Sequence, residues 1–169
     1  GPHAPVPCGD RAVPWSVDID AASLGELNAG TIVSEYPLQA QALESVGRID
    51  GAWVYRNPVV RPRAWVEGPG AAARGWNPVD EVSWTPNRIT IQARGPGLLV
   101  LSENAYPGWG VTIDGSPAEM LTVRGLLRGV DLPSGEHLVV FIFKPMSVYL
   151  GGLFTTAAAL ALALLWRVR

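Results

Sequence analysis

The C-terminal part of the chain carries an apolar segment that few soluble folds could accommodate. Residues 148–166 read VYLGGLFTTAAALALALLW, nineteen residues without a charge. As an α-helix this run would be roughly 28 Å long, about the thickness of the hydrocarbon core of a bilayer. Tyr149 and Trp166 lie near its two ends, where amphipathic rings favour the membrane interface. The run therefore predicts a transmembrane helix over residues 148–166. The alternative, a buried helix of a soluble core, would usually keep more of a polar edge than Tyr149, Thr155 and Thr156 provide.

The charges beside this segment predict its orientation. Arg167 and Arg169 follow it directly, whereas only Lys144 precedes it closely. Short positively charged flanks stay on the cytoplasmic side, so we expect residues 167–169 to be a cytoplasmic tail and residues 1–147 to be extracytoplasmic. That portion holds eleven basic and fifteen acidic side chains, a net charge of about −4. An acidic balance argues against nucleic acid and against anionic lipid headgroups as partners.

The first residues of the chain and the small side chains of the apolar segment indicate what kind of protein the predicted helix belongs to. Neither a basic region nor an apolar leader lies near Gly1, so we expect either a removed signal or the tail of a longer, multi-span protein. Gly151, Thr155, Ala159 and Ala163 form a stripe of small side chains that would let other helices approach in lipid, although Ala and Gly are also ordinary residues of such segments. The expected partners are the lipid bilayer and other transmembrane helices of the parent protein.

Composition excludes several kinds of site. Cys8 is the only cysteine, so no disulfide forms within the chain. His3 and His137 lie far apart, and neither has a second ligand at a useful spacing, so we expect no metal and no cofactor. Nineteen Gly and fifteen Pro point to turns and short strands.

The upstream part of the chain has little periodicity and a few short elements. We predict an irregular N-terminal segment over residues 1–30, with a short helix at 21–27 capped by Asp20. Strands are predicted at 31–34, 43–46, 53–56 and 63–66, and a loop at 68–80.

Downstream of residue 88 the strand pattern is sharper. Alternating or continuous apolar runs separated by turn residues predict a series of strands. Asp114-Gly115 is a strong hairpin signal, because both residues accept a positive φ at little cost. Residues 31–147 are therefore expected to form an antiparallel β-sandwich, jelly-roll or Ig-like, of about seven to nine strands. The predicted strands are 88–93, 98–101, 109–113, 118–123, 126–132 and 137–143, with turns at 95–97, 106–108, 114–115, 124–125 and 133–136.

Several short motifs follow one another in a fixed order along the chain. They are Asn57-Pro58, Pro62-Arg63-Ala64, Tyr106-Pro107-Gly108-Trp109, Asp114-Gly115, Arg128-Gly129, Pro133-Ser134-Gly135-Glu136-His137 and Phe143-Lys144-Pro145. In this order and spacing the chain resembles, over about residues 43–169, the C-terminal extracytoplasmic domain and last membrane helix of YfhO-type bacterial membrane proteins. Two positions depart from the usual pattern: Ala105 stands where an aromatic residue is often found, and Phe143-Lys144 where Tyr-Arg is common.

This resemblance implies a large polytopic protein, similar to GT-C-type glycosyltransferases, that takes sugars from polyprenyl-phosphate carriers at the bacterial cell membrane. The catalytic acid of that family is expected in an early extracytoplasmic loop, so the resemblance transfers no catalytic residue to this chain. A glycan or a polyprenyl-linked sugar is the ligand it suggests.

The residues themselves offer only one binding hypothesis. Asn104 and Tyr106 could form a saccharide contact, although turn chemistry alone also explains them. We interpret Trp109 as a core residue, Asp114 and Gly115 as a hairpin turn, and Arg128 as part of a structural motif. Arg63 and Arg128 are expected to pair with carboxylates inside the sandwich, and Ser102, Glu103 and His137 form no recognisable catalytic arrangement.

Three functions remain compatible with the sequence. The first is a non-catalytic accessory domain of a membrane glycosyltransferase. The second is a membrane-anchored module that binds glycans or a protein partner. The third is a structural lid that braces the helices of a transporter-like protein.

Overall fold

The computed structural model describes residues 19–38, 42–69, 75–79 and 82–167. The chain divides into two compact units, residues 1–62 and 63–169. The domain predicted over residues 31–147 therefore contains two separate sheets, one in each unit. Pro58 and Pro62 lie between the last strand of the first sheet and the first strand of the second, and a residue without an N–H cannot donate to a strand ladder.

The first unit contains a short helix and a three-stranded antiparallel sheet. Helix α1 spans Ala21–Glu26, and the Asp20 side chain caps it by accepting a hydrogen bond from the Ala22 N–H at 2.9 Å, as the sequence predicts. Asp50 and Gly51 adopt positive φ in the turn between the second and third strands. The strands are β1 (Thr31–Ser34), β2 (Glu44–Ile49) and β3 (Ala52–Arg56), in the order β1-β3-β2.

The second unit contains eight strands in one antiparallel sheet, followed by a long helix. The mainly β, antiparallel fold class predicted from the sequence is confirmed. The predicted loop at 68–80 is wrong in one part, because residues 76–78 pair with residues 65–67. The strands are β4 (Ala64–Glu67), β5 (Trp76–Pro78), β6 (Val82–Thr85), β7 (Arg88–Asn104), β8 (Trp109–Ile113), β9 (Ser116–Ala118), β10 (Leu121–Val123) and β11 (Leu127–Phe143).

Two strands of 17 residues, β7 and β11, run through the whole sheet and pair with each other along it. Both must fold over, because Arg128 lies 13 positions before Phe141 in β11 and yet its guanidinium is 6.0 Å from the Phe141 ring. In a straight strand these two residues would be roughly 43 Å apart. Each strand therefore contributes one half to each leaf of a sandwich.

The pairing assigns five strand segments to each leaf. The first leaf has the order β5-β4-β7-β11-β10 and uses the C-terminal half of β7 with the N-terminal half of β11. The second has the order β6-β7-β11-β8-β9 and uses the other two halves. The halves meet at the predicted turns 95–97 and 133–136. These are corners inside continuous strands, since pairing resumes on both sides of the register shift between Leu132 and Gly135.

Glycine makes the corners close enough to fold. A Cβ on Gly95 would overlap the carbonyl oxygen of Pro133, and Gly97 and Gly135 have φ of +154° and +119°. Few side chains tolerate that backbone conformation. The close approach of the two corners is therefore specific to glycine.

The core lies between the two leaves. Inward-facing aliphatic side chains from both halves of β7 and β11 form one cluster, so the leaves stabilise each other by excluding water. The buried members are Ala64, Val66, Ile89, Ile91, Ala93, Leu99, Leu101, Val111, Val130, Leu132, Val139 and Phe141.

Helix α2 spans Met146–Arg167 and is exposed along its whole length. Among the described residues it is the only helix long and apolar enough to cross a membrane. The Thr155 and Thr156 hydroxyls donate to the carbonyls of Gly151 and Gly152 at 2.8 and 3.0 Å. These bonds leave no threonine hydroxyl of the helix without an acceptor, as an apolar environment requires.

We expect Gly95→Ala to destabilise the second unit by about 3 kcal/mol, because the added methyl group would meet backbone atoms that cannot move aside. Gly110→Ala is the control, since a Cβ there meets nothing within 4 Å; its effect should stay within about 0.5 kcal/mol. Urea unfolding in detergent micelles, followed by tryptophan fluorescence, measures both. Equal effects would show that the corners do not pack as described.

Candidate functional site

The fold-over brings the two ends of β7 and of β11 to the same side of the sandwich, next to helix α2. Phe143 N–H donates to the Asn87 carbonyl at 2.9 Å, and Lys144 N–H donates to the Gly108 carbonyl at 2.7 Å. We call this side, formed by residues 85–88, 103–109 and 143–145, the proximal end. The opposite side, with the corners at 95–97 and 133–135 and the 114–115 turn, is the distal end.

A buried cation stacks on aromatic rings at the proximal end. The Arg128 guanidinium carbon lies 3.9 Å from the centroid of the Trp109 ring, and the Arg128 side chain is 3% exposed. Trp109 is opposite Phe143 in the β8–β11 register, and their ring centroids are 5.3 Å apart. A desolvated guanidinium over an indole face is favourable, so the stack holds the two leaves together at this end.

Glu103 joins this cation to a second one. Its Oε1 accepts from Arg63 Nη2 at 2.5 Å, and its Oε2 lies 3.4 Å from Arg128 Nη2. The Arg63 guanidinium in turn lies 4.1 Å from the Trp84 ring. Both arginines pair with a carboxylate as expected, but only Arg128 does so inside the sandwich, because the Arg63 side chain is 53% exposed. The three charged groups carry a net charge of +1.

Two guanidinium nitrogens of Arg128, Nε and Nη1, are buried without a hydrogen-bond partner. Burial lowers the pKa of Arg128 from its ordinary value, and the charge of Glu103 opposes that shift. The guanidinium nevertheless stays a cation, since arginine does not deprotonate in proteins. Because Glu103 is bound by two cations, this cluster holds no carboxylate free to act as a general base.

Sequence reasoning missed Glu103 as the partner, although a signal was present. Leu99 and Leu101 alternate on the inward face of β7, Glu103 follows two positions later within the bulge opposite Leu127 and Arg128, and Arg128 begins the inward alternation of Val130 in β11. A buried charge is unfavourable unless it is paired, so a carboxylate and a guanidinium at inward positions of neighbouring strands are expected to form an ion pair. Glu103 and Asp114 lie at opposite ends of the sandwich.

The predicted saccharide contacts, Asn104 and Tyr106, lie in the exposed loop beside this cluster. Tyr106 N–H donates to the Asn104 carbonyl at 2.9 Å, and the Tyr106 carbonyl accepts from Trp109 N–H at 3.4 Å. Neither side chain forms a hydrogen bond within the described part of the chain, and Tyr106 is 64% exposed. The backbone bonds explain the turn, while the two side chains remain available for a ligand. Trp109 is half-buried and packs against the core.

Asp114, Gly115 and His137 form a separate cluster at the distal end. Asp114 and Gly115 take φ of +50° and +83°, as the predicted hairpin requires. Asp114 also accepts from Leu138 N–H at 2.8 Å, and its other carboxylate oxygen is 2.7 Å from His137 Nδ1. The hydrogen bond with His137 lowers the pKa of Asp114, and that same bond raises the pKa of His137.

Within residues 19–38, 42–69, 75–79 and 82–167, no group of three or more His, Cys, Asp or Glu side chains is placed to hold a metal ion. Comparison with protein-family models, curated proteins and solved structures finds no match to this chain.

We expect Glu103→Gln to destabilise the sandwich by about 2 kcal/mol, because it leaves the buried Arg128 charge without its counter-ion. Arg63→Gln removes the exposed partner of the same carboxylate and should cost less than about 1 kcal/mol. Urea unfolding of both variants compares the two costs. If Arg63→Gln lowered the free energy of unfolding as much as Glu103→Gln, the pairing of Glu103 with the buried Arg128 would not explain why this carboxylate stabilises the sandwich.

The His137–Asp114 pair should make stability depend on pH. The raised pKa of His137 adds stability that is complete below its ordinary pKa of 6.5 and is lost as the pH rises through the raised value. The lowered pKa of Asp114 adds stability that is complete above its ordinary pKa of 3.8 and is lost as the pH falls through the lowered value. The unfolding midpoint should therefore be highest between about pH 4 and 6.5.

Urea midpoints measured from pH 3 to 9 test this dependence. His137→Gln should flatten the decline above pH 6.5, whereas the matched control His3→Gln should retain it. If the urea midpoint of His137→Gln still declined above pH 6.5, titratable groups other than His137 would be responsible for the decline.

Proposed function

We propose that this chain is a membrane-anchored, non-catalytic domain on the extracytoplasmic face of a bacterial cell membrane. The observation that carries the proposal is helix α2, a 22-residue helix that is apolar apart from Ser147, Thr155, Thr156 and Arg167 and is exposed along its length, although exposed apolar surface of that size is unfavourable in water. The basic tail supports a cytoplasmic C-terminus.

The parent protein we propose is a polytopic glycosyltransferase-like protein that acts with polyprenyl-phosphate-linked sugars in cell-envelope glycosylation. The order of motifs from Asn57-Pro58 to Phe143-Lys144-Pro145 supports this part, through their resemblance to YfhO-type proteins. The stripe from Gly151 to Ala163 lies on an exposed helix and would suit contact with neighbouring helices of that parent.

A non-catalytic role is consistent with how the polar side chains are used. Glu103 binds two arginines, and Asp114 binds His137 and the Leu138 N–H. Within the described residues these carboxylates serve the fold, and the transferase chemistry of the parent would come from its other membrane-embedded parts.

The alternative is a membrane-anchored module that binds a glycan or a protein without enzymatic activity. The exposed Tyr106 ring and the unbonded Asn104 amide favour it, since a ring face suits sugar C–H groups and an amide suits hydroxyls. Tyr106→Ala and Asn104→Ala should then abolish retention on an immobilised envelope glycan without lowering the unfolding midpoint.

We expect the chain to behave as an integral membrane protein with its C-terminus inside. A reporter fused after Arg169 should be active only in the cytoplasm, and the chain should stay with the membrane after alkaline extraction. Ala159→Arg should release it, because a charge at the centre of a membrane helix costs about 3 kcal/mol of insertion free energy. Ala159→Leu is the control and should remain bound. Release of the unchanged chain, or reporter activity only outside, would contradict the proposal.

A further inference from the structure

Two exposed loops of the proximal end are bonded to the residues that lead directly into helix α2. The hairpin at 85–88 is bonded to Phe143 through Asn87, and the loop at 105–108 is bonded to Lys144 through Gly108. Phe143 and Lys144 lie three and two residues before Met146, the first residue of the helix. If the helix spans a bilayer, both loops lie within about 10 Å of the hydrocarbon core, where the headgroup region begins.

Charge is divided between the two ends of the sandwich. Four cations, Arg63, Arg88, Arg128 and Lys144, are at the proximal end with Glu103, and Glu119 lies in the same half because Ala118 is opposite Val111, for a net charge of +2. Arg124 and Glu67 form an ion pair of their own. The remaining described charges of the sandwich, apart from His137, are Arg94 against Asp114, Asp131 and Glu136, a net charge of −2.

The cations that face outward at the proximal end have no internal role. Arg88 and Lys144 are exposed and form no ion pair with any described residue. Tyr106 is 64% exposed in the loop that is bonded to Lys144 and belongs to the residue types that favour the membrane interface. An overall acidic chain thus presents a net basic and aromatic surface next to its apolar helix.

We propose that the proximal end is a lipid-docking surface that lies on the anionic headgroups of the leaflet from which α2 enters the membrane. Arg88 and Lys144 bind lipid phosphates, and the Tyr106 ring inserts at the headgroup level. This inference rests on the proposed membrane anchoring. It revises the expectation from net charge that anionic headgroups are disfavoured, because the charge that matters is at the proximal end. Docking of this kind would fix the sandwich against the membrane surface.

The test uses the full chain in lipid nanodiscs that contain phosphatidylglycerol, in a Cys8→Ser background. Fluorophores are attached at Asn87→Cys and Pro107→Cys on the proximal end, at Ser134→Cys on the distal corner, and at Leu160→Cys in the helix. Lipids with a spin label on the headgroup should quench positions 87 and 107 strongly and position 134 weakly. Acyl-chain spin labels should quench position 160.

A charge-matched comparison identifies the cause of docking. Replacing both Arg88 and Lys144 with Gln should lower the ratio of docked to undocked sandwich by about fivefold for each charge removed. Arg94→Gln removes one charge at the distal end and should leave quenching unchanged, whereas Arg88→Gln alone removes one charge at the proximal end and should lower it. In nanodiscs of neutral phosphatidylcholine, the Arg88/Lys144 variant and the unchanged chain should give similar quenching.

The outcomes separate the two proposals. Quenching at position 160 with equal, weak quenching at 87, 107 and 134 would overturn lipid docking and leave the anchoring intact. An equal loss of quenching in Arg88→Gln and Arg94→Gln would also overturn lipid docking, because the net charge and not the charge at the proximal end would then be responsible. Absence of quenching at position 160 would overturn the anchoring and the docking together.

Discussion

The fold-over of the β7–β11 pair is the constraint on which the rest of the second unit depends. The two 17-residue strands remain paired through their corners, so one ladder supplies the centre of both leaves. This arrangement buries the inward aliphatic side chains of both halves in one cluster. It also returns the ends of both strands to one side of the sandwich, where β11 leads into helix α2.

The proximal cluster is a consequence of that return. Arg128 and Phe141 belong to the same strand, and only the fold-over lets Arg128 reach the rings of Trp109 and Phe141 from the opposite leaf. The cation is buried at the cost of its hydration, which Glu103 and the indole face offset in part. The charged groups of this cluster therefore serve the closure of the sandwich.

Local patterns predicted much of this fold. The N-cap Asp20, the Asp114-Gly115 hairpin and the apolar run of α2 each depend on short-range chemistry, and each is present. The corners were mistaken for turns, because Gly95-Pro96-Gly97 has turn composition whether or not pairing continues across it. The division into two sheets depends on long-range pairing that no local pattern encodes. The partner of Arg128 was missed because it required the register of β7 with β11, although inward charges on both strands were visible.

The distance between the two ends of β7, measured by pulsed electron paramagnetic resonance, tests the fold-over most directly. Spin labels at Arg88→Cys and Asn104→Cys, in a Cys8→Ser chain held in lipid nanodiscs, report whether the strand folds over. We expect a distance below about 25 Å, since packed leaves are separated by about 10 Å and the labels add their own length. A distance near 50 Å, the span of a straight 17-residue strand, would contradict the sandwich and the proximal end with it.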